Sequence, residues 1–280
     1  MIDLATRPLV LDGGLGTLLE ARGNDVSSAL WSARVLRDDP DEVRSAHAEF
    51  AAAGADVLIT ASYQVGFGGQ IPDAEVDTLL RRSVSLARDA GEGLVAASVG
   101  PIGALRADGS EYTGAYGLDL AQLRAGHRRR LAVLAEAGAD LLAVETIPSA
   151  LEVEALALEL ADLGVPAFVS LSADSAGYAR SGALAATLRT AASIPGVIAV
   201  GVNCCAPTSV GPALAQAPAV PLVAYPNTGE RWDATTRTWS GGVGVLAEAA
   251  PAWVAAGARL VGGCCRSTPV DIAAIAAAVR

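Results

Sequence analysis

Lysine is absent from the 280-residue sequence, so all 20 of its Lys and Arg positions are arginine. Without lysine, Schiff-base aldolase chemistry and covalent attachment of pyridoxal phosphate are excluded. Histidine is also scarce, because the sequence has only His47 and His127, both within helical patterns away from the predicted strand ends. A histidine-rich metal site and a Ser-His-Asp triad are therefore not expected.

Basic charge and long apolar runs are scarce as well. The net charge of -10 disfavours nucleic acid, because neutralising phosphates requires clustered basic residues, and the cluster Arg128–Arg130 is predicted to be a solvated helix face. No apolar run approaches the roughly 18 residues of a membrane span, and no signal-peptide pattern is present. We expect a cytoplasmic monomer or weak homo-oligomer that binds neither nucleic acid nor membrane.

The composition is otherwise that of a globular protein, with 52% hydrophobic residues and a mean hydropathy of +0.40. An Ala-Gly-Ala motif occurs three times, within residues 53–58, 137–142 and 256–261. Each copy predicts a helix that ends at glycine, a short turn and a buried strand. Apolar strands without alternation, separated by amphipathic helices, indicate a parallel sheet covered on both faces.

Eight such strand-helix units can be counted, which is the number in a (β/α)8 TIM barrel. The predicted strands lie near 8–13, 56–62, 94–99, 140–146, 166–172, 197–203, 221–226 and 258–263. The predicted helices lie near 40–53, 75–90, 119–137, 149–163, 182–193, 208–217, 243–256 and 269–279. We expect an α/β fold with one domain over residues 1–280. A doubly wound sheet is the alternative, but the turn Asp12–Gly16 has the wrong glycine spacing for it.

All four cysteines follow two of these strands. One strand ends in Asn203, Cys204 and Cys205, and the last strand leads through two glycines to Cys264 and Cys265. Packing, redox chemistry and metal binding are all possible for such thiols. Redox chemistry is the weakest, because a vicinal pair forms a strained disulfide. Two adjacent thiols and one from a neighbouring strand suit Zn²⁺ with an open fourth position, although the spacing alone does not decide between packing and metal.

Ordered motifs along nearly the whole chain closely resemble those of the homocysteine S-methyltransferase family. They are Asp12-Gly13-Gly14, Leu30–Ala33, Thr60–Gln64, Ser98–Pro101, Asp108–Tyr112, Glu145–Pro148, Gly201–Cys204, Tyr225–Glu230 and Gly262–Arg266. The resemblance implies a zinc-dependent transfer of a methyl group to the sulfur of L-homocysteine. It also implies that Cys204, Cys264 and Cys265 are the zinc ligands. Cys205 has no counterpart among them and is predicted to be a small buried hydrophobe.

The resemblance further implies that Asp12 and Glu145 accept the ammonium group of homocysteine. We expect the backbone N–H groups of Gly13 and Gly14 to approach its carboxylate, because no side chain intervenes. On local grounds alone, the same glycines are also typical of an ordinary turn with a helix cap. An unpaired carboxylate at the end of a buried strand is costly, which favours a functional role for Glu145.

Four further residues are weaker candidates for substrate binding. Trp31, Tyr63 and Asn227 are placed on the methyl-donor side, where aromatic faces could attract a sulfonium cation. Core packing explains the two aromatic residues equally well. Asn203 is expected to orient the neighbouring cysteine or to cap its loop.

The sequence is compatible with more than one methyl donor and with two rival functions. The compact chain resembles family members that use S-methylmethionine or S-adenosylmethionine, with betaine-specific and selenocysteine-specific methyltransferases as alternatives. A phosphate-binding barrel enzyme is the main rival, because Gly241-Gly242 and Gly262-Gly263 fall in the last two strand-helix regions. That rival leaves the thiols unexplained. A non-enzymatic zinc-stabilised or thiol-storage protein would need a fourth ligand that is hard to find.

Overall fold

A computed structural model describes residues 2–25, 30–173, 178, 183–233, 238–242, 244 and 246–280. Its strands are β1 (Leu9–Val10), β2 (Val57–Ile59), β3 (Leu94–Val99), β4 (Leu141–Ile147), β5 (Ala167–Leu171), β6 (Val197–Asn203), β7 (Leu222–Tyr225), β8 (Arg231–Asp233), β9 (Thr238–Ser240) and β10 (Ala258–Val261). Its α-helices are α1 (Leu15–Ala21), α2 (Trp31–Asp38), α3 (Pro40–Ala52), α4 (Asp73–Asp89), α5 (Ile102–Arg106), α6 (Leu120–Glu136), α7 (Ala150–Leu160), α8 (Leu184–Ala192), α9 (Pro207–Leu214), α10 (Leu246–Ala255) and α11 (Pro269–Val279).

Eight parallel strands form a barrel in the order β1-β10-β7-β6-β5-β4-β3-β2. A parallel bridge between Leu11 and Val57 joins the two ends of this sheet, and the Asp12 N–H donates to the Val57 carbonyl oxygen at 3.0 Å. The predicted (β/α)8 barrel is thereby confirmed. Among the described residues, no helix is long and apolar enough to cross a membrane.

Side chains alternate between the barrel interior and the layer beneath the helices. Leu9 and Leu11 belong to an interior cluster that includes Phe168 and Tyr225, whose rings pack edge to face at 5.9 Å. Val10 belongs instead to the large cluster between strands and helices. Because both faces of the eight barrel strands are covered, most of their residues are apolar, as the sequence predicted. Polar exceptions such as Ser98, Glu145 and Asn203 lie near the carboxyl ends.

The three Ala-Gly-Ala motifs form the predicted helix ends. Gly54, Gly138 and Gly257 have φ values of 97°, 85° and 106°, which an L side chain rarely adopts. The aspartates of the first two motifs stabilise the amino-terminal edge of the barrel. Asp56 accepts from the Val10 N–H at 2.9 Å, and Asp140 accepts from the Val95 N–H at 2.8 Å.

Several short elements were absent from the sequence prediction. The helices α1, α2 and α5 and the 3-10 turn Ser110–Tyr112 lie in connections where no helix was expected. The β8–β9 hairpin, which pairs the Trp232 and Trp239 backbones, was also missed. α1 and α5 have only seven and five residues, and so short a segment shows too few turns for its apolar period to be recognised. All of them follow the carboxyl ends of strands.

The prediction that Arg128–Arg130 form a solvated helix face is right for the first two arginines and wrong for the third. Arg128 and Arg129 are exposed and pair with Glu159 and Asp77, but Arg130 is fully buried and donates to the Gly100 carbonyl oxygen. α6 turns its third consecutive arginine toward the barrel, because successive residues on a helix point about 100° apart. The cluster is therefore not a continuous basic surface.

Gly201 controls the spacing of β6 and β7. A Cβ atom at this position would overlap the Val223 carbonyl oxygen and lie 2.8 Å from its carbonyl carbon. We predict that Gly201→Ala lowers the free energy of unfolding by about 3 kcal/mol or more, because two paired backbones must separate. Gly211→Ala is the matched control. A Cβ there meets nothing within 4 Å, so this helical substitution should be neutral or stabilise by up to about 1 kcal/mol. Urea unfolding of both variants measures the difference, and equal stabilities would contradict the assignment.

Candidate active site

A cavity of about 120 Å³ opens at the carboxyl ends of the barrel strands. This is the end at which parallel barrels build active sites. The cavity is lined by groups that carry chemistry and by small residues from the intervening loops. The lining residues are Asp12, Gly13, Gly14, Leu15, Gly16, Thr17, Ser32, Ile59, Thr60, Ala61, Tyr63, Tyr112, Glu145, Thr146, Cys204, Tyr225, Gly263, Cys264 and Cys265.

Three thiols meet at one side of this cavity. The Sγ atoms of Cys204, Cys264 and Cys265 all lie within 4.8 Å of one another, and those of Cys204 and Cys265 are 3.9 Å apart. Tetrahedral zinc with bonds of about 2.3 Å to sulfur would require sulfur atoms about 3.8 Å apart. The donor set therefore fits zinc. Because the cluster faces the cavity, a fourth position remains available to a substrate.

The thiols converge because β6, β7 and β10 are neighbours in the sheet. Hydrogen bonds then join the loops that follow these strands. The Cys264 N–H donates to the Pro226 carbonyl oxygen at 2.8 Å, and the Cys265 N–H donates to Asn227 Oδ1 at 3.1 Å. The Asn227 N–H donates to the Cys205 carbonyl oxygen at 3.0 Å. The loop after β7 thus links the two cysteine pairs.

Backbone strain is concentrated in the same region. Among the described non-glycine residues, φ is positive at Thr146, Cys204 and Arg266, at 61°, 48° and 69°, and elsewhere only at Ala107. Thr146 and Cys204 line the cavity, and Arg266 follows Cys265 directly. Each such conformation costs about 1–3 kcal/mol and persists only where the surrounding structure enforces it.

Hydrogen bonds among the three thiols shift their pKa values in opposite directions. Hydrogen bonds from Cys264 and Cys265 hold the pKa of the Cys204 thiol well below its ordinary value. The same bonds to Cys204 raise the pKa values of Cys264 and Cys265 well above theirs. Tyr112 adds a further contact, with its hydroxyl oxygen 3.7 Å from Cys204 Sγ. A bound cation would replace this arrangement.

Asp12 lies at the carboxyl end of β1, where only 2% of its surface is exposed. Its Oδ2 accepts from the Ile59 N–H at 2.9 Å. Burial raises the pKa of Asp12 well above its ordinary value, and the negative charge of nearby Glu145 adds to this effect. A carboxylate in this position is therefore stabilised by any cation that enters the cavity.

Glu145 lies within β4 on the other side of the cavity. It accepts hydrogen bonds from Ser98 Oγ and from the Tyr225 hydroxyl, the latter at 3.0 Å. Burial raises the pKa of Glu145 to about 7, while the two hydrogen bonds oppose this rise. Within the part of the chain that the structure describes, no arginine forms an ion pair with Asp12 or Glu145.

Gly13 and Gly14 allow a close approach between the first and last loops of the barrel. A Cβ at Gly13 would lie 2.6 Å from the Phe50 ring, and one at Gly14 would lie 2.6 Å from the Cys264 carbonyl oxygen. The Gly14 N–H donates to Ser267 at 3.1 Å, so it is not free for the carboxylate contact expected from the sequence. That contact stays a prediction for Gly13.

The weaker candidates lie in different places. Tyr63 lines the cavity, and burial raises its pKa well above the ordinary value, so the phenol stays protonated. Asn227 is not among the described lining residues, and its Oδ1 accepts from the Cys265 N–H, while its placement on the methyl-donor side stays a prediction. Asn203 was expected beside its neighbouring cysteine. Instead, its Oδ1 accepts from the Thr146 N–H and from Ser170 Oγ, both at 2.8 Å. The side chain of Trp31 lies outside the described residues.

The polar lining residues that the sequence analysis missed include Tyr225, Tyr112 and Thr146. Tyr225 lies between Glu145 and Ser170, with its hydroxyl 2.7 Å from Ser170 Oγ, and Tyr112 contacts the thiols. Thr146 is held in its strained conformation by the Asn203 side chain, whose Nδ2 donates to Thr146 Oγ1 at 2.8 Å. Each residue belongs to one of the family-like motifs, but no local pattern marks it as facing the cavity.

Comparison with known proteins gives the family. The family profile described as homocysteine S-methyltransferase matches residues 9–279, which is nearly the whole chain. The chain belongs to the homocysteine S-methyltransferase family. The homocysteine S-methyltransferase of Escherichia coli is 43% identical over 96% of this chain and 94% of that protein. Homocysteine S-methyltransferase 4 of Zea mays is 44% identical over 97% of this chain and 89% of its own length.

A solved structure of this family agrees with the fold. The metallated form of the homocysteine methyltransferase MmuM from Escherichia coli has a TM-score of 0.83, with 40% identity over 98% of this chain and 96% of that one. Membership in the homocysteine S-methyltransferase family confirms the resemblance and the enzyme class expected from the sequence. It favours a thiol methyltransferase over the phosphate-binding alternative.

Proposed function

We propose that this protein transfers a methyl group from a sulfonium donor to L-homocysteine, giving methionine, and that the reaction depends on zinc. The observation that carries the proposal is the cluster of three thiols that opens into a cavity with two buried carboxylates. The thiols provide a soft-metal site, and the carboxylates provide the complement of an amino acid's ammonium group.

Cys204, Cys264 and Cys265 would hold the zinc ion. When bound, zinc lowers the pKa of a thiol ligand so far that homocysteine sulfur is deprotonated near neutral pH. The loops that carry the three cysteines determine where the homocysteine sulfur would bind. Because Asn227 ties the loop of Cys265 to the loop of Cys205, the three ligands cannot separate without breaking both hydrogen bonds.

Asp12 and Glu145 would receive the homocysteine ammonium group. Both carboxyl groups are buried, and burial raises the pKa of each. The arrival of an ammonium group stabilises their charged forms, because an opposite charge within a few ångströms compensates the lost hydration. Ser98 and Tyr225 hold the Glu145 carboxylate in place through its two oxygens.

Methyl transfer is an in-line displacement that needs alignment more than proton transfer. The bond from the homocysteine sulfur to the methyl carbon forms as the donor's sulfur-carbon bond breaks, and its electron pair stays on the donor sulfur. The donor then leaves as a neutral thioether, and no general acid is required. This fits a cavity whose described lining contains no histidine.

The charge of the cavity favours a cationic donor. Asp12, Glu145 and the three thiols are all acidic, whereas none of the described lining residues is basic. A sulfonium is therefore attracted during encounter, and its charge is neutralised in the transition state. The aromatic ring of Tyr63 provides a face for the same cation. S-Methylmethionine is preferred to S-adenosylmethionine, because the sequence has no glycine fingerprint for an adenosyl group.

Zinc binding is tested by single cysteine variants. We predict that the wild-type protein retains about one zinc per chain after dialysis and that Cys264→Ala loses most of it, because only two thiolate ligands remain. Cys205→Ala is the matched control. Cys205 is buried in the apolar cluster, so this variant should keep its zinc. Stoichiometric zinc in Cys264→Ala, measured by elemental analysis, would remove that residue from the ligand set.

Ammonium recognition is tested by isosteric neutral variants. We predict that Asp12→Asn and Glu145→Gln each raise the KM for homocysteine about 10- to 100-fold, because a charge-assisted hydrogen bond contributes about 1.5–3 kcal/mol. Glu152→Gln is the control, since Glu152 is equally buried but bonds to His127 outside the cavity. It should lower the melting temperature and leave this KM unchanged. An unchanged KM in both cavity variants would argue against their assigned role.

The donor is identified by steady-state assays of the zinc-loaded enzyme with L-homocysteine. We predict that kcat/KM is highest with S-methylmethionine, lower with S-adenosylmethionine, and lowest with betaine and methyltetrahydrofolate, because the cavity favours a compact sulfonium cation. The measured quantity is the rate of methionine formation. A preference for betaine or the folate would overturn the donor assignment and leave the metal site untouched.

A further inference from the structure

His47 is a buried histidine that the proposed chemistry has not used. It lies in α3 with no surface exposed, and its Nδ1 is 3.9 Å from Asp12 Oδ2. Neither of its ring nitrogens has a hydrogen-bond partner among the described residues. The other histidine of the chain, His127, differs in this respect, because its Nε2 lies 2.9 Å from Glu152 Oε1.

An unpaired imidazole is an unfavourable choice for this position. The other buried positions of α3 include Val43, Ala46 and Phe50, so an apolar side chain would continue the same helix face. A buried polar group without a partner lowers stability, and each such group requires an explanation. The explanation that we consider is its neighbour Asp12, which lines the cavity.

The charge state of His47 limits what it can do there. Burial lowers the pKa of His47 to about 4, so the ring is neutral near pH 7. A neutral ring cannot act as the counter-ion of Asp12, but it carries one N–H that can be donated. The positive charge that Asp12 requires must then come from a ligand.

We propose that His47 is a positioning residue, which donates its Nδ1–H to Asp12 Oδ2 when homocysteine binds. Oδ2 already accepts from the Ile59 N–H, and a carboxylate oxygen has room for a second donor. Two donors on Oδ2 fix the rotation of the carboxylate and leave Oδ1 for the ammonium group. The ring must move by about 1 Å to reach ordinary hydrogen-bond distance. The inference rests on the proposed function of Asp12.

The first test compares substitutions at the two histidines. His47→Leu removes the donor, and we expect the KM for homocysteine to rise about tenfold while kcat changes by less than about twofold. His47→Asn keeps an N–H donor near the Nδ1 position and should restore most of the affinity. His127→Leu should lower the melting temperature without changing this KM. Equal KM values in wild type and in a folded His47→Leu would overturn the inference.

The second test is made on the wild-type protein, whose two histidines give a simple imidazole spectrum. In ¹⁵N-labelled, zinc-loaded protein, homocysteine should shift the His47 Nδ1–H signal downfield and leave the His127 signal in place. His47→Asn assigns the signals. A His47 signal that is unmoved by saturating homocysteine contradicts the inference, even if His47→Leu fails to fold. Wild-type protein that neither binds nor methylates homocysteine contradicts the proposed function instead.

Discussion

Acidic groups buried around one cavity, without basic partners among the described residues, are the constraint on which the site depends. Asp12, Glu145 and three thiols face the same space, and the described lining holds no arginine. Burial raises the pKa values of both carboxyl groups because their charge is not compensated within the fold. Cations that enter from outside restore this balance. The scarcity of histidine and the absence of lysine in the sequence are consistent with the same requirement.

The barrel makes this arrangement possible by bringing distant segments to one edge. Cys204 and Cys265 are 61 residues apart in sequence, yet their sulfurs lie 3.9 Å apart. Close backbone contact at Gly201 keeps β6 against β7, and β7 in turn pairs with β10. Positive φ values then turn the chain at Cys204, directly after β6, and at Arg266, directly after Cys265. The stable barrel therefore holds strained residues at the carboxyl ends of its strands, and these residues lie where the three thiols converge.

The sequence predicts the carboxyl ends of five barrel strands to within one residue, because the apolar runs and the motif glycines are local signals. β1, β2 and β10 end two or three residues earlier than predicted. The positions of Asp12, Glu145 and the cysteines follow directly from those ends. The sequence does not predict that Tyr225 bonds to Glu145, because that contact depends on the register of strands that are not adjacent in sequence. It also gave the wrong partner for Asn203, whose side chain reaches across to Thr146. Partners across the barrel require the three-dimensional register, whereas strand ends do not.

Unfilled hydrogen-bonding capacity separates the functional acidic groups from the structural ones. Glu152 is completely buried, but it receives hydrogen bonds from the Ile102 N–H and the Tyr116 hydroxyl and contacts His127. The carboxylate oxygens of Glu152 are thus bonded within the fold, and Glu152 is not among the described residues that line the active-site cavity. Glu145 has two donors and still borders the open space, while Asp12 has one backbone donor beside an unpaired imidazole. Because an unsatisfied buried group costs stability, a fold retains it where a ligand completes the bonding. At Asp12, with His47 beside it, the proposed substrate would therefore complete bonding that the described residues leave open.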